Sequence, residues 1–322
     1  MDMISAIQNG DKRIAAKLIS MLENHHPEAT AILQSAQPAL RKANVIGITG
    51  APGAGKSTLT DQLAKSLLQR KRKVGVIAVD PSSPITGGAF LGDRIRMSDL
   101  NSEPDVFIRS MATRGALGGI SKAVAGAIRV MEIYGAETIF VETVGIGQSE
   151  IDVANLAATV VFVVVPGMGD DIQAEKAGIL EVSDIIAVNK ADHEDTNRTI
   201  QQLTSMMGLK MRLHPETSGA ENWEAQIIPT VATTGEGIAE LLEAIEAHQT
   251  WLSGVVRRPE SDEKKIKEEI LTALRDKFES EFLEFNNETE ALPKSINQIL
   301  KEKVELKQES VKVFEEFIKW RT

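Results

Sequence analysis

The chain has 322 residues, 42% of them hydrophobic, with no cysteine and a formal net charge of −10. That length allows a large core and an expectation of about two or three domains. The acidic balance excludes general nucleic-acid binding, because no net positive field draws in phosphate backbones, and the missing thiols exclude disulfides, thiolate metal sites and thiol catalysis. The N-terminal stretch MDMISAIQNGDKRIAAKLISMLENHH scatters charges through an amphipathic pattern, unlike a signal peptide. No run approaches the about 18 apolar residues of a membrane span. The expected location is therefore cytoplasmic, with neither nucleic acid nor membrane as a partner.

Residues 1–43 read as an N-terminal helical extension: Ile4, Ile7, Ile14, Leu18, Ile19 and Leu22 recur at helical spacing, and a second helical segment runs from Pro27 to about Lys42. Over 44–256 the texture changes to short apolar runs between amphipathic stretches. NVIGIT, VGVIAVD, DVFIRS, TIFVET, TVVFVVV, DIIAVN and IIPTVA are rich in β-branched residues and bounded by Gly, Pro or Asp. Such runs are buried parallel strands, so the fold class is α/β, a doubly wound, mostly parallel sheet. The last segment, 257–322, is dense in Glu and Lys. Its apolar stripe is Ile266, Ile270, Leu274, Phe278 and Phe282, then Ile296, Leu300 and Val304, then Val311, Phe314, Phe317 and Ile318. Pro293 is expected to separate two helices there. The stripe needs a cover, either the α/β domain or, the favoured solution, a second copy.

The segment GITGAPGAGKST follows the first strand, and Gly50, Gly55, Lys56 and Ser57 satisfy G-x-x-x-x-G-K-[ST]. Along Gly50, Ala51, Pro52, Gly53, Ala54, Gly55, Lys56, Ser57 and Thr58, backbone N–H groups turn in around a β-phosphate and the next helix adds its positive end. Lys56 is expected to bridge the β- and γ-phosphates, and the Ser57 hydroxyl to bind Mg²⁺. VNKAD, 188–192, emerges from a later strand and reads the base: Asp192 accepts from guanine N1–H and the exocyclic amine, the Lys190 stem covers the ring, and Asn189 completes the motif. Adenine offers no such donor pair, which selects GTP and GDP as ligands. TVATTGEG, 230–237, occupies the place of the last guanine loop, with backbone N–H groups around Ala232 and Thr233 directed at guanine O6.

Between these motifs, VDPSSPITGGAFLGDRIRM supplies Asp80 and Asp93 as candidate metal ligands, since carboxylates beside a triphosphate require a cation between them. For Asp80 an Asx-turn before Pro81 is the alternative. Arg94, Arg96, Arg109 and Arg114 are too many to assign; surface or partner contacts suit each better than transition-state charge. Glu142-x-x-Gly145 ends the strand TIFVET. Glu142 suits contact with Mg²⁺ directly or through a bound water, and Gly145 offers its N–H to a γ-phosphate. Gln148 is too far along to be taken as positioning water.

GAPGAGKST, VDPSSPITGGAFLGDRIRM, RSMATRGALGG, ETVGIGQSE, VPGMGDDIQAEKAGILEVSDI and VNKAD together resemble the MeaB/ArgK type of G protein, whose human relative is the methylmalonic aciduria type A protein. The resemblance covers about 4–253. It implies a P-loop GTPase with a C-terminal helical dimerisation arm, forming a homodimer. The implied activity is GTP hydrolysis, slow and partner-stimulated, that gates adenosylcobalamin delivery to methylmalonyl-CoA mutase or a related acyl-CoA mutase and protects or reactivates it. Ser57, Asp80, Asp93 and Glu142 fall on the family's Mg²⁺ and γ-phosphate apparatus, and Lys56, Asp80, Glu142 and Lys176 on its catalytic positions. Lys176 lies in an additional switch at about 166–177; pairing with Asp170, Asp171 or Glu175 is its alternative. Val231 departs from the pattern, which has Ser before Ala, so a hydroxyl contact is lost there. No motif for binding cobalamin directly is identifiable. A P-loop kinase of the amino-acid (LAO/AO) transport-kinase type is the alternative reading. A nickel metallochaperone is disfavoured, because only His25 and His26 are adjacent and there is no cysteine.

Overall fold

All seven apolar runs form strands. The computed structural model describes residues 2–24, 26–36, 42–80, 98–112, 119–143, 156–167, 182–213 and 223–254 and, with short gaps, 267–321. Two compact units result, Met1–Val255 and Val256–Thr322.

In the first unit the strands are β1 (Asn44–Gly50), β2 (Val74–Asp80), β3 (Val106–Ala112), β4 (Thr138–Thr143), β5 (Thr159–Val164), β6 (Ile185–Asn189) and β7 (Gln226–Thr230). They make one seven-stranded sheet in the order β3-β2-β4-β1-β5-β6-β7, each neighbour parallel to the next. Every residue of β2, β4, β5 and β6 is buried, which is why these strands read as continuous apolar runs. The expected α/β class, a doubly wound parallel sheet, is the one observed.

Helices cover both faces. On one lie α1 (Met3–Gln8), α2 (Lys12–Glu23), α3 (Pro27–Ser35) and α6 (Gly119–Tyr134), packed over Ile77, Val79, Phe107, Ile139 and Val141. On the other, α4 (Lys56–Gln69) and α8 (Ile238–Gly254) pack over Ile46, Ile48, Val76, Phe140 and Val161. The short α5 (Ser98–Asn101) leads into β3, and α7 (Thr196–Leu213) packs its Leu203 with Phe162 and Val188. The N-terminal helices are thus part of this unit's core: Ile7, Leu18 and Ile19 are fully buried. The Asp11 carboxylate caps α2 by accepting from the Arg13 and Ile14 backbone N–H groups. The second helical segment is shorter than expected. It ends at Ser35, and residues 37–41 lie outside the described residues; Pro38 disfavours helix in the residue before it.

Arg109, for which surface or partner contacts were expected, is half-buried within this unit. From β3 its guanidinium donates to the Glu23 carboxylate and, at 3.0 Å, to the Ser20 hydroxyl, so it holds α2 on the sheet edge. Arg94, Arg96 and Arg114 lie outside the described residues, as does His25.

In the second unit, helical residues 281–289 are followed by α9 (Ala291–Glu302) and α10 (Leu306–Arg321). The break falls at Glu290, whose φ is 55°, not at Pro293. Pro293 sits in the first turn of α9, where a helix has no internal acceptor for its N–H groups and the ring is tolerated. The stripe divides. Phe317 is 1% exposed and packs with Phe285, Ala291 and Val313, whereas Phe278, Ile296, Leu300, Val311, Phe314 and Ile318 are 43–76% exposed. Ile266 and Val304 lie outside the described residues.

At the N-terminal end of the sheet, His248 on α8 is 1% exposed. One ring nitrogen is 3.0 Å from the Thr159 hydroxyl and the other 3.4 Å from the Asp184 carboxylate, with Trp223 and Trp251 packed around it. Burial lowers its pKa from 6.5 to about 4. The folded protein therefore favours the neutral ring, and the unfolded chain binds the extra proton between these two values. The resulting stability is complete above pH 6.5 and is lost as pH falls to about 4, a difference of about 3 kcal/mol. Urea unfolding followed from pH 7 to pH 4.5 is expected to show this slope, and His248→Gln to flatten it.

Candidate nucleotide site

Parallel strands all end on the same edge of the sheet, so the residues that follow β1, β2, β4, β6 and β7 converge there. Because β1 lies between β4 and β5, the strand order switches from one side of β1 to the other, and such a switch leaves a crevice beyond the strand ends. The loop Gly50–Gly55 sits above it. Gly50 has φ 143°, and a Cβ there would lie 2.1 Å from the Val163 carbonyl oxygen. Gly55, at φ 90°, would place a Cβ 2.3 Å from the Asn189 side-chain nitrogen. Both positions require glycine, on conformational and steric grounds together.

Lys56 is buried at the start of α4, and its ammonium donates to the carbonyls of Gly50 at 2.8 Å and Ala51 at 3.0 Å. The positive charge is thus held across the loop, beside the N-terminus of a 14-residue helix whose dipole adds to it. Ser57, next along, donates its hydroxyl to Glu142 Oε1 at 2.6 Å. Thr60, one turn on, donates to the Lys56 carbonyl at 2.9 Å and lies 3.4 Å from Glu142 Oε2. Thr60 is a contact that sequence reading missed; a threonine in an amphipathic helix carries no signal until the helix is set against β4. Asp80 ends β2, one residue beyond the Val79–Thr143 register, and is 8% exposed.

Ser57 and Glu142 are hard oxygen donors in contact one residue along from Lys56, and Asp80 ends the strand paired with that of Glu142. No group of three or more His, Asp or Glu side chains suited to a metal occurs among the described residues. A hydroxyl with one or two carboxylates is the protein share of a magnesium site that leaves its other positions to water and phosphate, so the donor set fits Mg²⁺. Asp93, Gly145 and Lys176 lie outside the described residues.

At the other end of the crevice, Asn189 closes β6 at 2% exposure. Its amide nitrogen donates to the Ala54 carbonyl at 2.8 Å, and its oxygen accepts from the Ala232 N–H at 3.1 Å and the Thr230 hydroxyl at 3.3 Å. One side chain therefore joins the phosphate loop to the loop after β7. Lys190, at φ 58°, donates to the Gly53 carbonyl at 3.0 Å, laying its stem from the base-reading motif toward the phosphate loop. Asp192 and Thr233 are exposed. Two details differ from the sequence reading. The Ala232 N–H, expected to face a base carbonyl, is engaged by the Asn189 side-chain oxygen. Val231 is buried and its N–H donates to the Glu236 carbonyl at 2.9 Å, so this position shapes the loop rather than facing a ligand.

A glycine-shaped loop between strand and helix, a buried lysine across it and Asn189 reaching the loop from the end of β6 define a P-loop nucleotide-binding α/β protein. The family model described as "Methylmalonyl Co-A mutase-associated GTPase MeaB" matches residues 15–287. A protein of Pyrococcus horikoshii with a GTPase name is 48% identical over 273 residues, 85% of each chain. "GTPase ArgK" of Escherichia coli is 35% identical over 285 residues, again 85% of each. "Methylmalonic aciduria type A homolog, mitochondrial" of Mus musculus is 31% identical over 283 residues, 82% of this chain and 67% of that one. A solved structure, "LAO/AO transport system kinase", has the same fold with TM-score 0.65 at 23% identity, covering 98% of this chain and 96% of that one. The chain belongs to the MeaB family of P-loop GTPases, as the resemblance of its motifs implies.

The Asn189 bonds are buried and span three segments. Asn189→Ala leaves the Ala232 N–H and the Ala54 carbonyl without that partner, and is expected to cost about 1–3 kcal/mol in urea unfolding as well as weakening nucleotide binding.

Proposed function

We propose that the chain binds GTP with Mg²⁺ and hydrolyses it slowly, in order to gate adenosylcobalamin delivery to, and protection of, methylmalonyl-CoA mutase or a related acyl-CoA mutase. The observation that carries the nucleotide part is the Glu142–Ser57 hydrogen bond beside buried Lys56 at the mouth of a glycine-shaped loop. It joins the end of β4, from which a terminal phosphate is sensed, to the residue that ligates magnesium. Family membership supports the client, because the family's description names the mutase.

In this reading the backbone of Gly50, Ala51, Pro52, Gly53, Ala54, Gly55, Lys56, Ser57 and Thr58 surrounds the phosphates, proline contributing only its carbonyl. Lys56 turns from the Gly50 and Ala51 carbonyls toward the β- and γ-phosphates. Ser57, with Asp80, Asp93 and Glu142 directly or through water, holds Mg²⁺, which neutralises phosphate charge when bound. Gly145 donates its N–H to the γ-phosphate, and Lys176 approaches when a partner closes its segment. Asp192 pairs with the guanine edge, Lys190 covers the ring, and Asn189 and Val231 hold the loop that presents Ala232 and Thr233. The second unit serves as a homodimerisation arm, a role supported by the exposed apolar side chains from Phe278 to Ile318. Among the described residues no helix is long and apolar enough to cross a membrane.

Lys56→Ala is expected to weaken GTP binding by about a hundredfold or more, since a charged contact to phosphate is removed. Asp192→Asn is expected to shift preference at least about tenfold toward xanthine nucleotides, whose 2-oxo group accepts from the new amide. Tight GTP binding by the Lys56 variant, read by fluorescence titration, counts against the phosphate assignment. Capture of an adenosylcobalamin-dependent mutase by nucleotide-loaded protein tests the client. In the same preparation [γ-³²P]GTP separates phosphate release from label transfer to an acceptor, the outcome expected of a kinase.

A further inference from the structure

Thr49 and Thr143 lie on the sheet face opposite Glu142. β1 and β4 run in register from Asn44–Thr138 to Ile48–Glu142, so Thr49 and Thr143 meet at the next rung. The Thr143 hydroxyl donates to the Thr49 hydroxyl at 3.1 Å, and each residue is 1% exposed. Their neighbours on that face are apolar: Val79 is the register partner of Thr143 on β2, and Val141 precedes it by two residues on β4. Valine has the same shape, suits a strand as well, and brings no hydroxyl to desolvate. Two hydroxyls in such a place satisfy one another at a cost that packing alone does not require.

Their positions in the chain supply a reason. Thr49 immediately precedes Gly50, the first residue of the phosphate loop, and Thr143 immediately follows Glu142. Successive strand residues face opposite ways, so Glu142 is held from the α4 face by Ser57 and Thr60 while Thr143 is held from the other face by Thr49. The end of β4 is therefore tied to both shoulders of the loop, to the residue before it and the serine at its end.

We propose that Thr49 and Thr143 form a positioning pair that fixes the end of β4 against the root of the phosphate loop, and so holds the Glu142 carboxylate in register with Ser57 for magnesium-dependent hydrolysis. The inference rests on the nucleotide reading above. Neither threonine is a catalytic residue, because each acts through its neighbour.

The test uses the full chain with Thr143→Val, Thr143→Ser, Thr49→Val and the double valine variant. A fluorescent GDP analogue is titrated with and without Mg²⁺, and GTP hydrolysis is followed across Mg²⁺ concentration. Thr143→Val is expected to bind GDP without Mg²⁺ within about twofold of the parent, to need about fivefold more Mg²⁺ to slow GDP release to half its range, and to lose about fivefold to tenfold in kcat with little change in KM. Thr143→Ser keeps the hydroxyl and is expected to restore both. Thr49→Val should match Thr143→Val, and the double variant should be no worse than either, since one bond is lost in each case. An unchanged Mg²⁺ requirement in Thr143→Val overturns the pair's role, as does additive loss in the double variant. Equal loss of Mg²⁺-free GDP binding also overturns it, because a general structural defect explains that result. A parent protein that neither binds nor hydrolyses GTP overturns the nucleotide reading and this inference with it, whereas an active parent with indifferent valine variants overturns this inference alone.

Discussion

Lys56, Asp80 and Glu142 are charged side chains buried in the protein, Lys56 at the start of α4 and the two carboxylates near the ends of β2 and β4. Removing a charge from water costs several kcal/mol even after relaxation, so each such group needs polar company. The phosphate loop supplies it for Lys56 through the Gly50 and Ala51 carbonyls, and α4 supplies it for Glu142 through Ser57 and Thr60. This requirement ties the loop, the helix and β4 into one body. A β-carbon at Gly50 would run into β5, so the loop cannot relax away from the sheet edge without losing these contacts.

The same economy of connection recurs at the base end. Asn189 ends β6, the strand next to the edge strand β7, and its side chain reaches both the phosphate loop and the loop after β7. The Gly50–Gly55 loop and the loop after β7 are therefore joined through one side-chain amide, with the Lys190 ammonium adding a second tie to Gly53. At the opposite edge of the sheet, His248 and Asp184 secure α8 and the starts of β5 and β6 without entering the nucleotide crevice. Buried polar groups thus serve the site at one end and the integrity of the sheet at the other.

Two features outside the crevice follow from packing rather than chemistry. The N-terminal helices bury Ile7, Leu18 and Ile19 on the face shared with α6, and the Arg109–Glu23 pair stitches α2 to the edge strand. The Val256–Thr322 unit behaves differently: a small aromatic core around Phe285 and Phe317, with Phe282 and Trp320 partly buried on it, leaves Phe278, Ile296, Leu300, Val311, Phe314 and Ile318 exposed among the described residues. A short helical unit has too little interior to bury every apolar residue that its amphipathic pattern presents.

The strands were legible in the sequence because fully buried parallel strands read as unbroken β-branched runs, and all seven are found where those runs occur. The glycine-rich loop after β1 was legible too, since Gly50 and Gly55 answer to local backbone geometry and Lys56 opens the helix that follows. Local pattern also announced the helical ends. It did not decide which of their apolar residues are covered, because Phe317 and Phe314 look alike in a helical repeat and only the neighbouring helices distinguish them. Nor did it reveal that half-buried Arg109 holds α2, that Ala232 gives its N–H to Asn189, or that Thr60 and Thr143 brace the two sides of Glu142. Those contacts join residues 43 to 94 positions apart in the chain, and only the strand order brings them together. The sequence by itself determined the elements and the chemistry available at their ends; the tertiary structure decided which of those groups meet, because hydrogen bonds act over about 3 Å and the chain alone carries no such distance between remote residues.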